Sequence, residues 1–307
     1  MKKTLCLLLI LVFFPLFPGV AEQEMTIVAS FYPVYIMAQN VLSGVENVNL
    51  VSMTAPATGC LHDYQLLTGD MRTLSRADAF LVNGAGMEDA FLPKITAQFP
   101  DLPLVDCSVG VELICGDAHH HDHHDHHGHE EGHEEEAYNA HIWLSPRNAM
   151  QMVENLRDGL SALLPHAADQ IALNAENYLA RLKNVDLALQ DALSALQNRQ
   201  MITFHEAFPY FARDYGLEIL AVVALEPDAP LSIRMLEEVI ETVQEAGNPP
   251  LFAEPQYNSA ALRVISQETG ARVYELDPFV TGEETLTAYE EAMQKNLQTL
   301  LYALSGD

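Results

Sequence analysis

Short runs rich in β-branched residues alternate with helical patterns along most of the chain. In the first half these runs predict strands over residues 25–29, 48–53, 79–83 and 102–105. The pattern restarts in the second half, where the runs cover residues 201–204, 218–224, 251–253 and 272–276. Strands that alternate with helices are typical of βαβ units and parallel sheets. We therefore predict an α/β fold with two parallel-sheet lobes of about four strands each.

One long segment without proline or glycine separates the two halves. Residues 166–199 carry apolar side chains at helical spacing, among them Ile171, Tyr178 and Leu182. A single helix of that length would run on the order of 45–50 Å, more than one small domain requires. Two helices with a break near Lys183 fit the same periodicity. We predict one long helix that joins an N-terminal lobe (22–165) to a C-terminal lobe (200–307).

The first 21 residues have the order of a secretory signal peptide. Lys2 and Lys3 precede an apolar run over residues 5–14, and prolines end that run before the small residue Ala21. The run is about half of the ~20 residues that a spanning helix needs, which disfavours a membrane anchor. Cys6 lies inside the run and not at a cleavage junction, so we predict no lipid-attachment cysteine. We expect cleavage after Ala21 and a periplasmic mature protein.

Composition narrows the range of functions. The chain has 43 acidic and 15 basic side chains, and this net charge of −28 disfavours nucleic-acid binding. Beyond the signal peptide the cysteines are Cys60, Cys107 and Cys115, which allow at most one disulfide of undetermined pairing. Cys60 lies two residues before His62 and is a possible metal ligand, but a disulfide or an inert thiol is the favoured interpretation.

Residues 119–136 form a histidine-rich insertion with nine histidines, seven acidic residues and two glycines. Without apolar side chains it cannot offset the entropy of ordering, so we predict a mobile surface loop. Imidazoles beside carboxylates suit zinc, copper or nickel, which favours low-affinity metal collection over a merely solvated insertion. The candidate ligands are His119, His120, His121, His123, His124, His126, His127, His129 and His133.

Four histidines lie outside the insertion. His166 stands at the start of the long helix and has no partner nearby in the sequence, so we interpret it as structural. His62 and His205 come after predicted strands, as does Asp277. Ligand sites in open parallel sheets gather at the carboxyl ends of strands. His62 belongs to the first half and the other two to the second, so a shared site would lie between the lobes.

Several local patterns occur in one order along the mature chain. They are HDY at 62–64, ADAFLVNG at 77–84, HIWLSP at 141–146, FHEAF at 204–208, FAEPQ at 252–256 and LDPF at 276–279. With these patterns the chain resembles the metal-specific periplasmic binding proteins of ATP-binding cassette transporters, the zinc and manganese group. The resemblance implies two four-stranded lobes joined by one long helix, with a metal ion in the cleft between them.

The resemblance also implies a ligand set. His62, His141 and His205 match the three imidazole ligands of the family and Asp277 matches its carboxylate, with water as the alternative fourth ligand. Manganese members tend to have a carboxylate where this chain has His205. Independently, three imidazoles and one carboxylate suit tetrahedral zinc, whereas manganese favours more oxygen ligands. Asn139 and Ala140 stand where the family commonly has Asp-Pro.

The resemblance implies a protein that captures Zn2+ and delivers it to a membrane permease of an ATP-binding cassette transporter, and we predict that it is a monomer. Manganese or another divalent metal is the alternative cargo. A secreted zinc hydrolase is disfavoured, because no second histidine follows His205 four residues on and no nucleophile elbow is present. A metal-buffering protein in which the insertion does the main work is a further alternative. We predict a binding protein and not an enzyme.

Overall fold

The structure is a computed structural model that describes residues 24–54, 60–61, 64–116, 138–224, 232–255 and 260–305. It contains two parallel four-stranded sheets. The first sheet has the order β2-β1-β3-β4 and the second has the order β6-β5-β7-β8. The strands are β1 (Met25–Ala29), β2 (Val48–Ser52), β3 (Ala79–Val82), β4 (Leu104–Asp106), β5 (Gln200–Thr203), β6 (Glu218–Val222), β7 (Leu251–Ala253) and β8 (Val273–Glu275). The predicted α/β class with two parallel sheets is confirmed.

Helices connect the strands and cover the sheets. They are α1 (Tyr32–Val41), α2 (Thr68–Leu74), α3 (Leu92–Gln98), α4 (Pro146–Leu163), α5 (Ala168–Ser194), α6 (Pro209–Tyr215), α7 (Ile233–Glu245), α8 (Ala260–Thr269) and α9 (Ala288–Leu304). Short 3-10 turns precede α4 at Ile142–Leu144 and α5 at Pro165–Ala167. None of the helices within the described ranges combines the length and the hydrophobicity needed to cross a bilayer.

The long helix α5 runs without interruption between the two sheets. It passes through Lys183, so the alternative of two helices with a break there is wrong. Its 27 residues are fewer than the 34 predicted, and they span about 40 Å. At the start, exposed His166 belongs to the preceding 3-10 turn. At the end, the Arg199 guanidinium donates to the carbonyls of Ser194 (2.7 Å) and Leu196 (3.2 Å), which satisfies acceptors that a longer helix would use.

Buried side chains of α5 join the lobes into one hydrophobic core. Ile171, Tyr178 and Leu189 belong to a cluster that also contains residues of the first sheet and of α9. A smaller core lies between the second sheet and the helices α7 and α8. The last helix, α9, follows the second sheet in sequence yet packs against α5. The shared core fixes the positions of the loops at the strand ends of the first sheet relative to those of the second.

The three cysteines in the described residues form no disulfide. The disulfide interpretation of Cys60 is therefore wrong. Cys107 is fully buried, and its burial raises the pKa of the thiol well above its usual value. Cys115 is exposed on the surface. The three thiols thus differ in environment, and Cys60 lies in the candidate metal centre.

Candidate metal centre

His141 and His205 lie together where the two lobes meet. Their ring centroids are 4.8 Å apart with an interplanar angle of 80°. His141 precedes the 3-10 turn Ile142–Leu144, and His205 comes two residues after the end of β5. Both are buried, with 2% and 0% of their surfaces exposed. His62 and the nine histidines of the insertion lie outside the described residues.

Cys60 completes a cluster of three candidate ligands. Its Sγ atom lies 3.6 Å from Nε2 of His141. One ligand atom from each of Cys60, His141 and His205 lies within 4.8 Å of the other two, and we call these residues the metal-site cluster. The sequence interpretation favoured a disulfide or an inert thiol at Cys60. The position of Cys60 two residues before His62 is the sequence signal that made it a possible metal ligand.

Asn139 orients the imidazole of His141. Its Oδ1 accepts the backbone N–H of His141 at 3.0 Å and lies 3.2 Å from the ring Nδ1. When Nδ1 donates to Asn139, the lone pair is on Nε2, the atom that faces Cys60. The Asn139 amide also donates to the carbonyl of Glu206 at 2.9 Å, which ties the loop to the second lobe. Asn139 thereby holds the segment that leads into His141 in place, although the Asp-Pro pair common in the family is absent here.

Glu254 orients the imidazole of His205. One carboxylate oxygen, Oε1, lies 3.0 Å from the ring Nδ1 of His205. The two residues are neighbours because β5 and β7 are adjacent parallel strands and both residues follow the carboxyl ends of those strands. Glu254 is only 3% exposed, and when Nδ1–H donates a hydrogen bond to its carboxylate, Nε2 is the nitrogen able to bind a cation. Glu254 belongs to the FAEPQ pattern at 252–256, but that pattern alone indicates no role for it.

We expect replacement of Glu254 by Ala to weaken zinc binding by about 10- to 100-fold, the usual effect of losing the hydrogen-bond partner of a ligating histidine. Glu254→Gln keeps an acceptor oxygen for Nδ1, so this variant should lose less affinity than Glu254→Ala. Affinities measured by competition with a chelator check both variants. Unchanged affinity in Glu254→Ala would contradict the orienting role.

Trp143 lies against His141 and connects it to the second lobe. The two ring centroids are 5.1 Å apart. The indole Nε1 donates to the carbonyl of Pro278 at 2.8 Å, and the Trp143 carbonyl accepts the hydroxyl of Tyr289 at 2.8 Å. Trp143 is fully buried. The ring therefore fixes the His141 segment against the residues that follow β8.

Asp277 follows β8 and is half-buried, but it is not a member of the metal-site cluster. Its Oδ1 accepts the backbone N–H of Phe279 at 2.8 Å, and its own N–H donates to Asn296 at 2.8 Å. It also lines a cavity of about 210 Å³ with Tyr32. Burial, together with the negative charge of Asp277, raises the pKa of Tyr32 to about 12. The role of Asp277 as a ligand stays a prediction.

A buried carboxylate, Glu88, supports the first-lobe side of the centre. Its two oxygens accept the backbone N–H groups of Asn83 (2.8 Å) and Gly84 (3.1 Å). The Asn83 side chain in turn donates to the carbonyl of Ala140 at 2.9 Å, directly before His141. Burial raises the pKa of Glu88 to about 7, although the hydrogen bonds it accepts act in the opposite direction.

This raised pKa predicts that Glu88 makes the fold less stable as pH rises. The folded state holds the Glu88 proton up to about pH 7, whereas an unfolded glutamate loses it near pH 4.3. This stabilisation by Glu88 is present below the unfolded pKa and is lost as pH rises through the folded pKa, by about 4 kcal/mol in total.

Urea unfolding between pH 5 and pH 8 checks this prediction against Glu88→Gln, which cannot titrate. The free energy of unfolding of the native protein should fall relative to that of the variant as pH rises. If the free energies of unfolding of the two proteins differ by the same amount from pH 5 to pH 8, Glu88 does not titrate in that range.

Comparisons with known proteins identify the family of the chain. The profile of the family described as "Zinc-uptake complex component A periplasmic" (ZnuA) matches residues 27–303. The zinc-binding lipoprotein AdcA of Streptococcus pneumoniae is 32% identical over 286 residues, which cover 91% of this chain and 56% of that protein. A zinc-binding protein AdcA of Streptococcus pyogenes is 31% identical over 291 residues, with the same coverage of both chains. The chain thus spans a little over half the length of these relatives.

Solved structures show the same fold. A crystal structure of ZnuA superposes with a TM-score of 0.77 at 26% identity, and the match covers 92% of this chain and 100% of that one. The Zn(II)-bound AdcA from Streptococcus pneumoniae superposes with a TM-score of 0.75 at 28% identity, covering 92% of this chain and 58% of that one. With the family profile matched over nearly the whole described length, the chain belongs to the ZnuA family of periplasmic zinc-uptake components.

Proposed function

We propose that this protein captures Zn2+ outside the cytoplasm and delivers it to an ATP-binding cassette permease. The observation that carries the proposal is the pair of buried imidazoles, His141 and His205, which belong to different lobes and have ring centroids 4.8 Å apart. Each ring has its Nδ1 close to an acceptor oxygen, from Asn139 or Glu254, so both Nε2 atoms are available to a cation.

The proposed ligand set adds His62 and Asp277 to these two histidines. His62 comes directly after Leu61, which is fully buried, and two residues after Cys60 in the sequence. Imidazole-rich sites suit zinc, whereas manganese favours more oxygen ligands, and this chemistry favours zinc over manganese as the cargo. The zinc-binding names of the related proteins from streptococci support the same choice.

Family membership also bears on partners and location. The family is an extracytoplasmic, non-enzymatic component of zinc uptake, which disfavours the hydrolase alternative. We propose that residues 1–21, outside the described part, are removed as a signal peptide and that the mature protein is a periplasmic monomer. The energy for transport would come from the ATPase of the permease.

The base of the histidine-rich insertion lies close to the metal-site cluster. Cys115 and Tyr138 form an isolated antiparallel bridge, and Asn139 N–H donates to the carbonyl of Ile114 at 2.9 Å. Two residues, Asn139 and Ala140, then separate Tyr138 from His141. This placement supports a role in which the insertion collects ions weakly and releases them next to the centre.

Deletion of residues 119–136 tests the proposal against the buffering alternative. We expect the shortened protein to retain one tightly bound zinc ion, measured by calorimetry in the presence of a competing chelator. The matched control is the same deletion combined with His205→Ala, which should lose that ion. Disappearance of tight binding on deletion alone would favour the buffering protein. Hydrolysis of ester or peptide substrates that stops on chelation would instead favour the enzyme.

A further inference from the structure

The thiol of Cys60 lies against the imidazole of His141. We propose that Cys60 binds the zinc ion directly as a thiolate, together with His141 and His205. This inference rests on the proposed function, since it names Cys60 in place of Asp277 as the anionic ligand of the same ion. On binding, the Sγ–H bond breaks, its proton leaves to solvent, and the sulfur lone pair forms the bond to the metal.

The distance between the two ligand atoms supports this assignment. Zinc binds thiolate sulfur at about 2.3 Å and imidazole nitrogen at about 2.0–2.1 Å, so two such ligands at a tetrahedral angle are separated by about 3.6 Å. The separation of Cys60 Sγ and His141 Nε2 is 3.6 Å. The nitrogen in this contact is the ligating one, because the Nδ1 of His141 lies against Asn139. A thiol-to-imidazole hydrogen bond has a similar length, and the experiment below distinguishes the two.

Charge gives a second argument. Two or three neutral imidazoles leave the +2 charge of the ion uncompensated in a buried site, and an anionic ligand lowers that cost. Asp277 was the predicted anion, but its Oδ1 accepts a hydrogen bond from Phe279 and the residue is absent from the metal-site cluster. Cys60 is in the cluster and supplies one negative charge as a thiolate.

A thiolate changes which ions the centre prefers. Sulfur is a soft ligand that suits zinc and other thiophilic ions, while manganese favours carboxylate, carbonyl and water. Cys60 is therefore a specificity-determining residue in this proposal. Replacing it by Ser should lower the affinity for cadmium more than the affinity for manganese.

Cobalt absorption spectroscopy tests the thiolate bond directly. Cobalt(II) bound to a thiolate shows a charge-transfer band in the near ultraviolet, which imidazole and carboxylate ligands do not produce. The histidine-rich insertion contains no cysteine, so cobalt bound to it gives no thiolate band. One equivalent of cobalt, with a phosphine reductant present, should give the band in the native protein, and excess zinc should remove it.

Two variants complete the experiment. Cys115→Ser changes an exposed thiol outside the cluster and should keep the band. Cys60→Ser should lose the band and bind zinc roughly 100-fold more weakly, as expected for the loss of one of four ligands. Its thermal unfolding, compared with that of the native protein, shows whether it folds.

The outcomes separate this inference from the proposed function. Tight zinc binding by the native protein without a thiolate band would overturn the role of Cys60 and leave the proposed function standing. A band that persists in Cys60→Ser would also overturn it. Failure of the native protein to bind zinc tightly would contradict the proposed function itself. The presence or absence of the band in the native protein is enough to test the role of Cys60. Poor folding of a variant therefore does not prevent the test.

Discussion

Replacement of His205 by Ala is expected to weaken zinc binding by about 100-fold or more. Tight structural zinc sites have binding free energies of about 10–16 kcal/mol, so each of four ligands contributes about 3 kcal/mol, or a factor of about 100. The loss should be at the upper end for His205, because its removal leaves Glu254 as a buried carboxylate without the imidazole that it faces.

Affinity measured by chelator competition in the insertion-deleted protein checks this prediction. His166→Ala is the matched control, since His166 is an exposed histidine in the turn before α5 and its replacement should leave the zinc affinity unchanged.

Trp143 offers a second readout because it is the only tryptophan in the chain and its ring centroid is 5.1 Å from that of His141. Zinc should change its fluorescence in the native protein at low concentration and in His205→Ala only at much higher concentration. Equal affinities in the two proteins would contradict the site.

Replacement of Trp143 by Ala is expected to lower the free energy of unfolding by about 3–5 kcal/mol, the usual cost of truncating a buried large aromatic residue. The side chain is fully buried and packs edge-on against Phe31, with ring centroids 5.1 Å apart. Its indole N–H also donates to the carbonyl of Pro278 at 2.8 Å, which would lose its partner in a buried position. The variant should therefore lose contacts on both sides of the cleft.

Urea unfolding of the metal-free protein measures this loss. Leu187→Ala is a suitable control because Leu187 lies on α5 with half of its surface exposed, and such surface changes usually stay within about 0.5 kcal/mol. Trp143→Phe keeps part of the aromatic packing and removes the N–H. Its loss of unfolding free energy should therefore lie between those of Leu187→Ala and Trp143→Ala. A loss in Trp143→Ala no larger than that of Leu187→Ala would show that the ring does not hold the lobes together.

The local pattern of the sequence predicted the strands well. The predicted bounds of β1 and β7 agree with the structure, and every other strand begins and ends within two residues of its prediction. The largest shift at a strand start is in β4, which was expected from residue 102 and begins at Leu104. Pro103 has no N–H to donate, and its carbonyl accepts Phe80 N–H at 2.9 Å before the strand begins. Such signals act over a few residues and can be seen in the sequence alone.

The partners of the candidate ligands could not be predicted in this way. Cys60 and His141 are 81 residues apart, and His205 and Glu254 are 49 residues apart. No local pattern encodes these contacts, because they depend on how two sheets are placed by one shared core. For Cys60 the sequence favoured a disulfide or an inert thiol, since a cysteine in an oxidising compartment more often forms a disulfide. The structure contradicts the disulfide and places the thiol beside His141.

The sequence by itself determined the two parallel sheets and the long helix between them, because hydrophobic period and breakers are properties of short segments. It also proposed three histidines as ligands. The tertiary structure decided which of those histidines meet, which acceptor orients each ring and which thiol lies beside them. Those outcomes follow from packing α5 and α9 against both lobes, a cooperative arrangement in which each contact depends on all the others.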